Sequence, residues 1–94
     1  MEEVLVNEID FESVDVKLFL HSGTKLFPDN LIVYDKQGNV LWKILELFQD
    51  APMLSIIDIW KIDDHTLGAY NPEGIEYEID LNNKVLLKET YSRF

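Results

Sequence analysis

The segment Asp63-Asp64-His65 is the place in the sequence where residue types most directly suggest chemistry. With Asp58 nearby, it offers carboxylate oxygens of the kind that hard cations prefer and an imidazole suited to acid–base catalysis. A metal or catalytic site needs side chains that converge from several elements, and adjacent residues in one turn seldom supply them. We therefore predict a solvated hairpin turn here, with no metal site.

Other signatures of catalysis are missing from the sequence. It contains no cysteine, and no serine lies in the Gly-x-Ser-x-Gly context of a hydrolase nucleophile. The four glycines are isolated from one another, so there is no glycine-rich loop to bind phosphate. We expect no catalytic residue, no cofactor and no enzymatic activity.

An acidic row is predicted near the C-terminal end. The heptapeptide Ile-Glu-Tyr-Glu-Ile-Asp-Leu, which begins at Ile75, alternates apolar and acidic residues without a fault. Such alternation predicts a strand with one apolar and one acidic face. Glu76, Glu78 and Asp80, which we call the acidic row, would lie on one side about 6.6–6.8 Å apart.

Two interpretations of the acidic row remain open. It can pair with Lys84 and Lys88 on the next hairpin strand, or it can present a face of uniform sign to a cationic partner. Like charges in a row disfavour folding slightly, which favours neutralisation by one of these routes. The segment around the row suggests a set of partner-binding residues: Asp58, Trp60, Asp63, Asp64, Glu76, Glu78 and Asp80.

The two tryptophans are candidates for interface anchors, because large aromatic residues are enriched at such positions. Core packing is nevertheless the expectation for both Trp42 and Trp60. We expect Trp60 to be the more exposed of the two, since on an extended strand it shares a face with Asp58.

The net charge of −10 comes from two segments. Residues 1–15 contain six acids and no base, while residues 58–80 contain seven acids and one lysine. This negative field repels nucleic acid and anionic membrane and attracts cationic partners. The alternative explanation is that the acidic residues only keep the protein soluble. With no cysteine, no targeting signal and no long apolar run, we expect a soluble, cytoplasmic protein.

The rest of the sequence predicts a mostly β fold of a single domain, 1–94. Further strands are expected at Val14–Leu20, Leu31–Asp35, Ile56–Ile62 and Val85–Tyr91, with Gly and Asn turns between them. Consecutive hairpins of this kind predict an antiparallel meander that forms a small barrel, a curved sheet or a sandwich. Residues 40–50 fit either a strand or a helix.

An internal repeat is suggested when the chain is compared with itself. Residues 32–43 align with residues 77–88 at an offset of 45, and Val14-Asp15-Val16 parallels Ile57-Asp58-Ile59. The two copies would be 13–48 and 56–91, each a four-stranded unit. Duplication and chance similarity between hairpins both explain the match. True duplication would make Val40–Phe48 extended rather than helical.

Two stretches, Gln37–Trp42 and Ile59–Asp80, resemble blades of bacterial β-propellers. The resemblance spans about 70 of the 94 residues and implies four-stranded, blade-like repeats. Because a propeller needs about four to eight blades, two blades cannot close one. The chain would then form a smaller β unit, or would assemble with other copies through exposed edge strands.

In general character the chain is similar to small acidic bacterial immunity proteins, which neutralise a toxin domain by binding it. That resemblance implies a non-enzymatic antitoxin with a basic protein partner, such as a nuclease domain, and no direct contact with nucleic acid or membrane. A blade-like module that self-assembles and a small β-barrel that binds an apolar ligand are the alternatives.

Overall fold

The computed structural model describes residues 3–21, 30–48 and 56–91, which form eight strands and one 3-10 turn. The strands are β1 (Glu3–Asp10), β2 (Asp15–His21), β3 (Leu31–Tyr34), β4 (Val40–Lys43), β5 (Asp58–Asp63), β6 (Thr66–Tyr70), β7 (Ile75–Asp80) and β8 (Val85–Tyr91). The 3-10 turn is Ile44–Leu47. Within these residues no helix has the length and apolar character required to cross a membrane.

The strands form two antiparallel four-stranded meanders, β1-β2-β3-β4 and β5-β6-β7-β8, in which each strand pairs with its neighbours in sequence. The prediction of a mostly β meander of consecutive hairpins is confirmed. The two sheets do not close into a barrel, so the barrel among the three predicted shapes is wrong. Hydrogen bonding within short hairpins satisfies the backbone locally, which explains why sequence neighbours remain neighbours in space.

The apolar faces of the two sheets share one core. Each sheet buries apolar residues of its two central strands, and the ring of Phe48 meets the ring of Tyr77 edge-on with 4.8 Å between centroids. Trp42 is buried in this core, as predicted. The buried hydrophobic residues of the central strands are Val16, Leu18, Leu31, Val33, Leu67, Ala69, Tyr77 and Ile79.

A buried amide joins the two sheets at Asn30. Its side-chain Nδ2 donates to the carbonyl of Ile56 at 2.6 Å, and its Oδ1 accepts from the Ile56 amide at 3.2 Å. Asn30 lies immediately before β3, while Ile56 lies just before β5. One side chain therefore satisfies both backbone groups of a residue from the other half of the chain, in a buried environment where unpaired polar groups are costly.

Each edge strand carries a one-residue bulge, whereas the pairings between central strands, β2–β3 and β6–β7, are continuous. The extra residues are Val6 on β1, Leu41 on β4, Ile62 on β5 and Leu87 on β8. All four are apolar, with 48%, 48%, 41% and 53% of their surface exposed. A bulge twists the free edge of a sheet and interrupts its regular hydrogen-bonding groups, which hinders pairing with another chain.

Residues 40–48 combine both predicted conformations. Val40–Lys43 is strand β4, and Ile44–Leu47 is a 3-10 turn, so the extended conformation expected through Phe48 is wrong after Lys43. Ile44 is buried, and Glu46 accepts a hydrogen bond from the Lys43 amide at 3.1 Å. Burial of Ile44 and this side-chain cap account for a turn where the apolar pattern alone was ambiguous.

The predicted repeat corresponds only in part to the sheets. The copy 56–91 contains all four strands of the second sheet, whereas the copy 13–48 contains β2, β3 and β4 and leaves out β1. At the offset of 45, the buried Val33 aligns with Glu78, which lies on the opposite face of its sheet, so the alignment is out of phase by one residue there. Residues 49 and 50, the end of the segment predicted as either strand or helix, lie outside the described residues.

We predict that Asn30→Ala lowers the free energy of unfolding by about 2–3 kcal/mol, because it leaves the amide and carbonyl of Ile56 buried without partners. Urea denaturation followed by circular dichroism measures the effect. Asn83→Ala is the matched control, since Asn83 also makes a side-chain hydrogen bond but at an exposed site, and should cost less than about 1 kcal/mol. Equal losses in the two variants would contradict a joining role for Asn30.

Candidate functional site: the outer face of the second sheet

The outer face of the second sheet is the side turned away from the shared core. Two rows of directly paired residues cross it. The tryptophan row consists of Trp60, Gly68, Glu78 and Lys88. The tyrosine row next to it consists of Asp58, Tyr70, Glu76 and Thr90. Residues that pair directly across strands share a face, so these two rows bring together side chains from all four strands of the sheet.

Trp60 lies on this face, half-buried, with its five-membered ring against Gly68 of the neighbouring strand. A Cβ atom at Gly68 would overlap the Cε2 and Nε1 atoms of the indole, so glycine is required for this close approach. The prediction that Trp60 is more exposed than Trp42 is confirmed. The indole is thus held against the sheet and is partly exposed on this face.

Glu76 and Glu78 stand on the same face in adjacent rows, both half-buried. Among the described residues, no cationic group lies within ion-pair distance of either carboxylate. Lys88 is directly opposite Glu78 in register but does not reach it, and the Lys84 amine lies 5.7 Å from the centre of the Trp42 ring. The predicted neutralisation by these lysines is therefore not found in the described residues.

Asp80, the third member of the acidic row, shapes a turn. Its carboxylate accepts hydrogen bonds from the Asn83 side chain at 2.9 Å and from the amides of Asn83 and Asn82 at 3.2 and 2.9 Å. These bonds, first among them the one from the Asn83 side chain, hold the pKa of Asp80 below its ordinary value. Asp80 thus stabilises the β7–β8 hairpin.

Asp63 plays the same part in the β5–β6 hairpin. It accepts a hydrogen bond from the His65 amide at 3.1 Å, and hydrogen bonds from the Thr66 side chain and the His65 backbone lower its pKa. Asp64 and His65 occupy the exposed tip of the turn. The prediction of a hairpin turn at Asp63-Asp64-His65 is confirmed, and within the described part of the chain no group of acids and histidines could hold a metal ion.

The structure separates the predicted binding residues into two groups. Asp58, Trp60, Glu76 and Glu78 come together on the outer face, whereas Asp63, Asp64 and Asp80 belong to the two hairpins at one end of the sheet. Sequence reasoning missed Gly68 and Tyr70, which complete the face between β5 and β7. Their roles depend on the register of β6 against its neighbours. An isolated glycine inside a strand was the one available signal, since it often marks a close approach.

The first sheet has a different outer face. There the Lys17 amine lies 3.8 Å from the Glu8 carboxylate and 4.8 Å from the centre of the Tyr34 ring. Lys36 donates to the carboxylate of Asp15 at 2.7 Å. Lys17 and Lys36 thus pair with two acids on this side, whereas on the outer face of the second sheet no cation among the described residues reaches Glu76 or Glu78. No family model, curated protein or solved structure matches the chain.

We predict that Asp80 makes the stability depend on pH in the acidic range. Because the pKa of Asp80 is lowered in the folded state, its stabilisation is complete above the ordinary value of 3.8 and is lost as the pH falls through the folded-state pKa. An Asp80→Asn variant keeps an acceptor but does not titrate. The difference in urea midpoint between the native protein and this variant should therefore shrink between about pH 4 and pH 2.

Asp64→Asn, at the exposed tip of the neighbouring hairpin, is the control for the loss of one negative charge. The Asp64→Asn variant corrects for the general loss of repulsion between negative charges as the carboxylates of this acidic protein become protonated. If the difference in urea midpoint between the native protein and Asp80→Asn stays constant from about pH 4 to pH 2, Asp80 is ruled out as a source of the pH dependence.

Proposed function

We propose that this protein is a non-enzymatic binding domain that holds a basic protein against the outer face of its second sheet. The observation that carries the proposal is the pair of half-buried carboxylates, Glu76 and Glu78, which no cation among the described residues neutralises. Cations of a partner would be attracted by the two carboxylates and would reduce the repulsion between them. A partner with a basic surface would therefore be complementary in charge to this face.

The most concrete form of the proposal is an immunity protein or antitoxin of a bacterial cytoplasm. A toxin that acts on nucleic acid must itself bind phosphates, so its active site is basic. An acidic sheet face that imitates the spacing of phosphates could cover such a site and block it. A cysteine-free sequence and a net charge of −10 suit an intracellular protein with this partner.

Trp60 supplies the apolar part of the proposed interface. Interfaces depend on a few aromatic or arginine residues near their centre, surrounded by contacts that exclude water. Trp60 and Tyr70 are half-buried on this face and are flanked by Asp58, Glu76 and Glu78. The carboxylates would attract and orient the partner, and the indole would contribute most to retaining it.

We expect Glu78→Lys to slow association with a cationic toxin domain about tenfold at low salt, without unfolding the protein. Stopped-flow mixing with a purified basic nuclease domain, chosen as a cationic test partner, measures the rate. The difference between variant and native protein should narrow towards about 0.5 M salt, where exposed charges are screened. Glu12→Lys, in the β1–β2 turn, changes the net charge equally and is the control. If both variants slow association equally, the partner is attracted by the net charge of the protein and not by this face.

A self-assembling module is the second candidate. Exposed apolar residues on the edge strands favour it, notably Val4 and Leu5 on β1, Val40 on β4 and Val85 on β8. The bulge on every edge strand counts against it, because regular pairing of one edge with another is interrupted. The third alternative, an apolar ligand inside a barrel, loses its basis because the sheets do not close.

Light scattering distinguishes binding by the face from assembly by the edges. Because of the bulges, we predict a mass of 11.0 kDa at all concentrations up to about 0.5 mM. A mass that increases with concentration would favour the assembling module and would contradict the role that we assign to the bulged edges.

A further inference from the structure

The outer face of the first sheet shows how this chain holds a cation. The Lys17 amine is shared by the Glu8 carboxylate and the Tyr34 ring, at 3.8 and 4.8 Å. Two more lysines lie over aromatic rings: Lys61 is 5.2 Å from the centre of Phe11, and Lys84 is 5.7 Å from that of Trp42. Contacts between a cation and the face of a ring are thus a recurrent feature of the molecule.

The second sheet has the ring and the carboxylate without the cation. Trp60 and Glu78 belong to one cross-strand row, separated only by Gly68, and Glu76 lies in the adjacent row. In the described part of the chain, no lysine or histidine lies over the Trp60 ring. Unlike the Glu8–Lys17–Tyr34 group, this ring and these carboxylates therefore have no cation from the described residues beside them.

We propose that Trp60, Glu76 and Glu78 form a receptor for an arginine side chain of the partner. This inference rests on the proposed function, because the arginine would come from the basic protein that binds the face. The guanidinium would stack on the exposed part of the indole and donate hydrogen bonds to the Glu78 carboxylate, with Glu76 as a second acceptor.

The geometry of the row favours arginine over lysine. Trp60 and Glu78 lie on strands separated by β6, so their backbones are about 9–10 Å apart. A planar guanidinium can cover an aromatic surface and at the same time donate from its edge to a carboxylate. An ammonium group is a strongly hydrated point charge with no flat surface to stack, so it gains less from the ring.

Lys88 provides an internal check on the inference. It lies in the same row on the far side of Glu78, too distant for an ion pair, but its charge opposes the approach of another cation. Lys88→Ala removes that opposition and leaves Trp60 and Glu78 in place. The variant should therefore bind cationic ligands more tightly than the native protein.

The test compares octa-arginine with octa-lysine, two probes of equal charge. Each is titrated into the full ¹⁵N-labelled chain at about 0.15 M salt, and the indole N–H signal of Trp60, assigned with Trp60→Leu, is followed by NMR. We expect octa-arginine to bind about fivefold more tightly than octa-lysine. In Lys88→Ala both peptides should bind about two- to threefold more tightly.

Three variants distinguish the contribution of the indole ring from that of the carboxylates. In Trp60→Leu, which has no indole signal at this site, backbone amide shifts measure peptide binding. Trp60→Leu and Gly68→Ala, which displaces the indole, should abolish the preference for arginine and leave octa-lysine binding unchanged. Tyr91→Leu removes an aromatic side chain that is 64% exposed on β8 and should leave the preference intact. Gly68→Ala retains Trp60, so it tests the position of the indole even if Trp60→Leu folds poorly.

The outcomes distinguish this inference from the proposed function. Equal affinity for the two peptides, or a preference that survives in both Trp60→Leu and Gly68→Ala, would overturn the arginine receptor and leave a basic partner possible. No binding of either peptide at this face would count against both proposals.

Discussion

The structure depends on burial of two sheet faces against each other. Each four-stranded meander has an apolar face that one sheet alone cannot keep from water, and the shared core satisfies both. The edge-on contact of Phe48 with Tyr77 and the two hydrogen bonds between Asn30 and Ile56 fix how the halves meet. Because the inner faces are committed to this core, the surfaces left for any partner are the outer faces, the edges and the turns.

These three kinds of surface are not equivalent. The edges are each interrupted by a bulge, and the carboxylates at the hairpins, such as Asp63 and Asp80, are occupied with backbone and side-chain donors. On the first sheet, Lys17 and Lys36 balance nearby acids. The second sheet combines an accessible indole with Glu76 and Glu78, so the chemistry for recognition of a cation is concentrated on one face.

The sequence predicted those strands that turn residues or an alternating pattern mark, including β8, although no residue of β8 is buried. Ile75–Asp80 and Val85–Tyr91 agree with the predicted bounds to within one residue, since alternation or turn residues marked them clearly. β1 was missed because its apolar residues Val4, Leu5 and Val6 are consecutive and exposed, and a bulge breaks the period of two. The acidic row was predicted, but the separation of Asp80 from Glu76 and Glu78 was not, because it depends on hydrogen bonds in a turn. Nor could the contact of Trp60 with Gly68 be predicted, because it requires the register between two strands.

We propose that a basic partner binds the outer face of the second sheet and not another acidic region, such as the N-terminal strand. A backbone amide map of the ¹⁵N-labelled protein, recorded with and without octa-lysine, tests it most directly. The account predicts that the largest shifts fall on Trp60, Gly68, Glu76 and Glu78. Shifts concentrated on Glu8, Asp10 and Glu12, or spread evenly over all acidic residues, would contradict it.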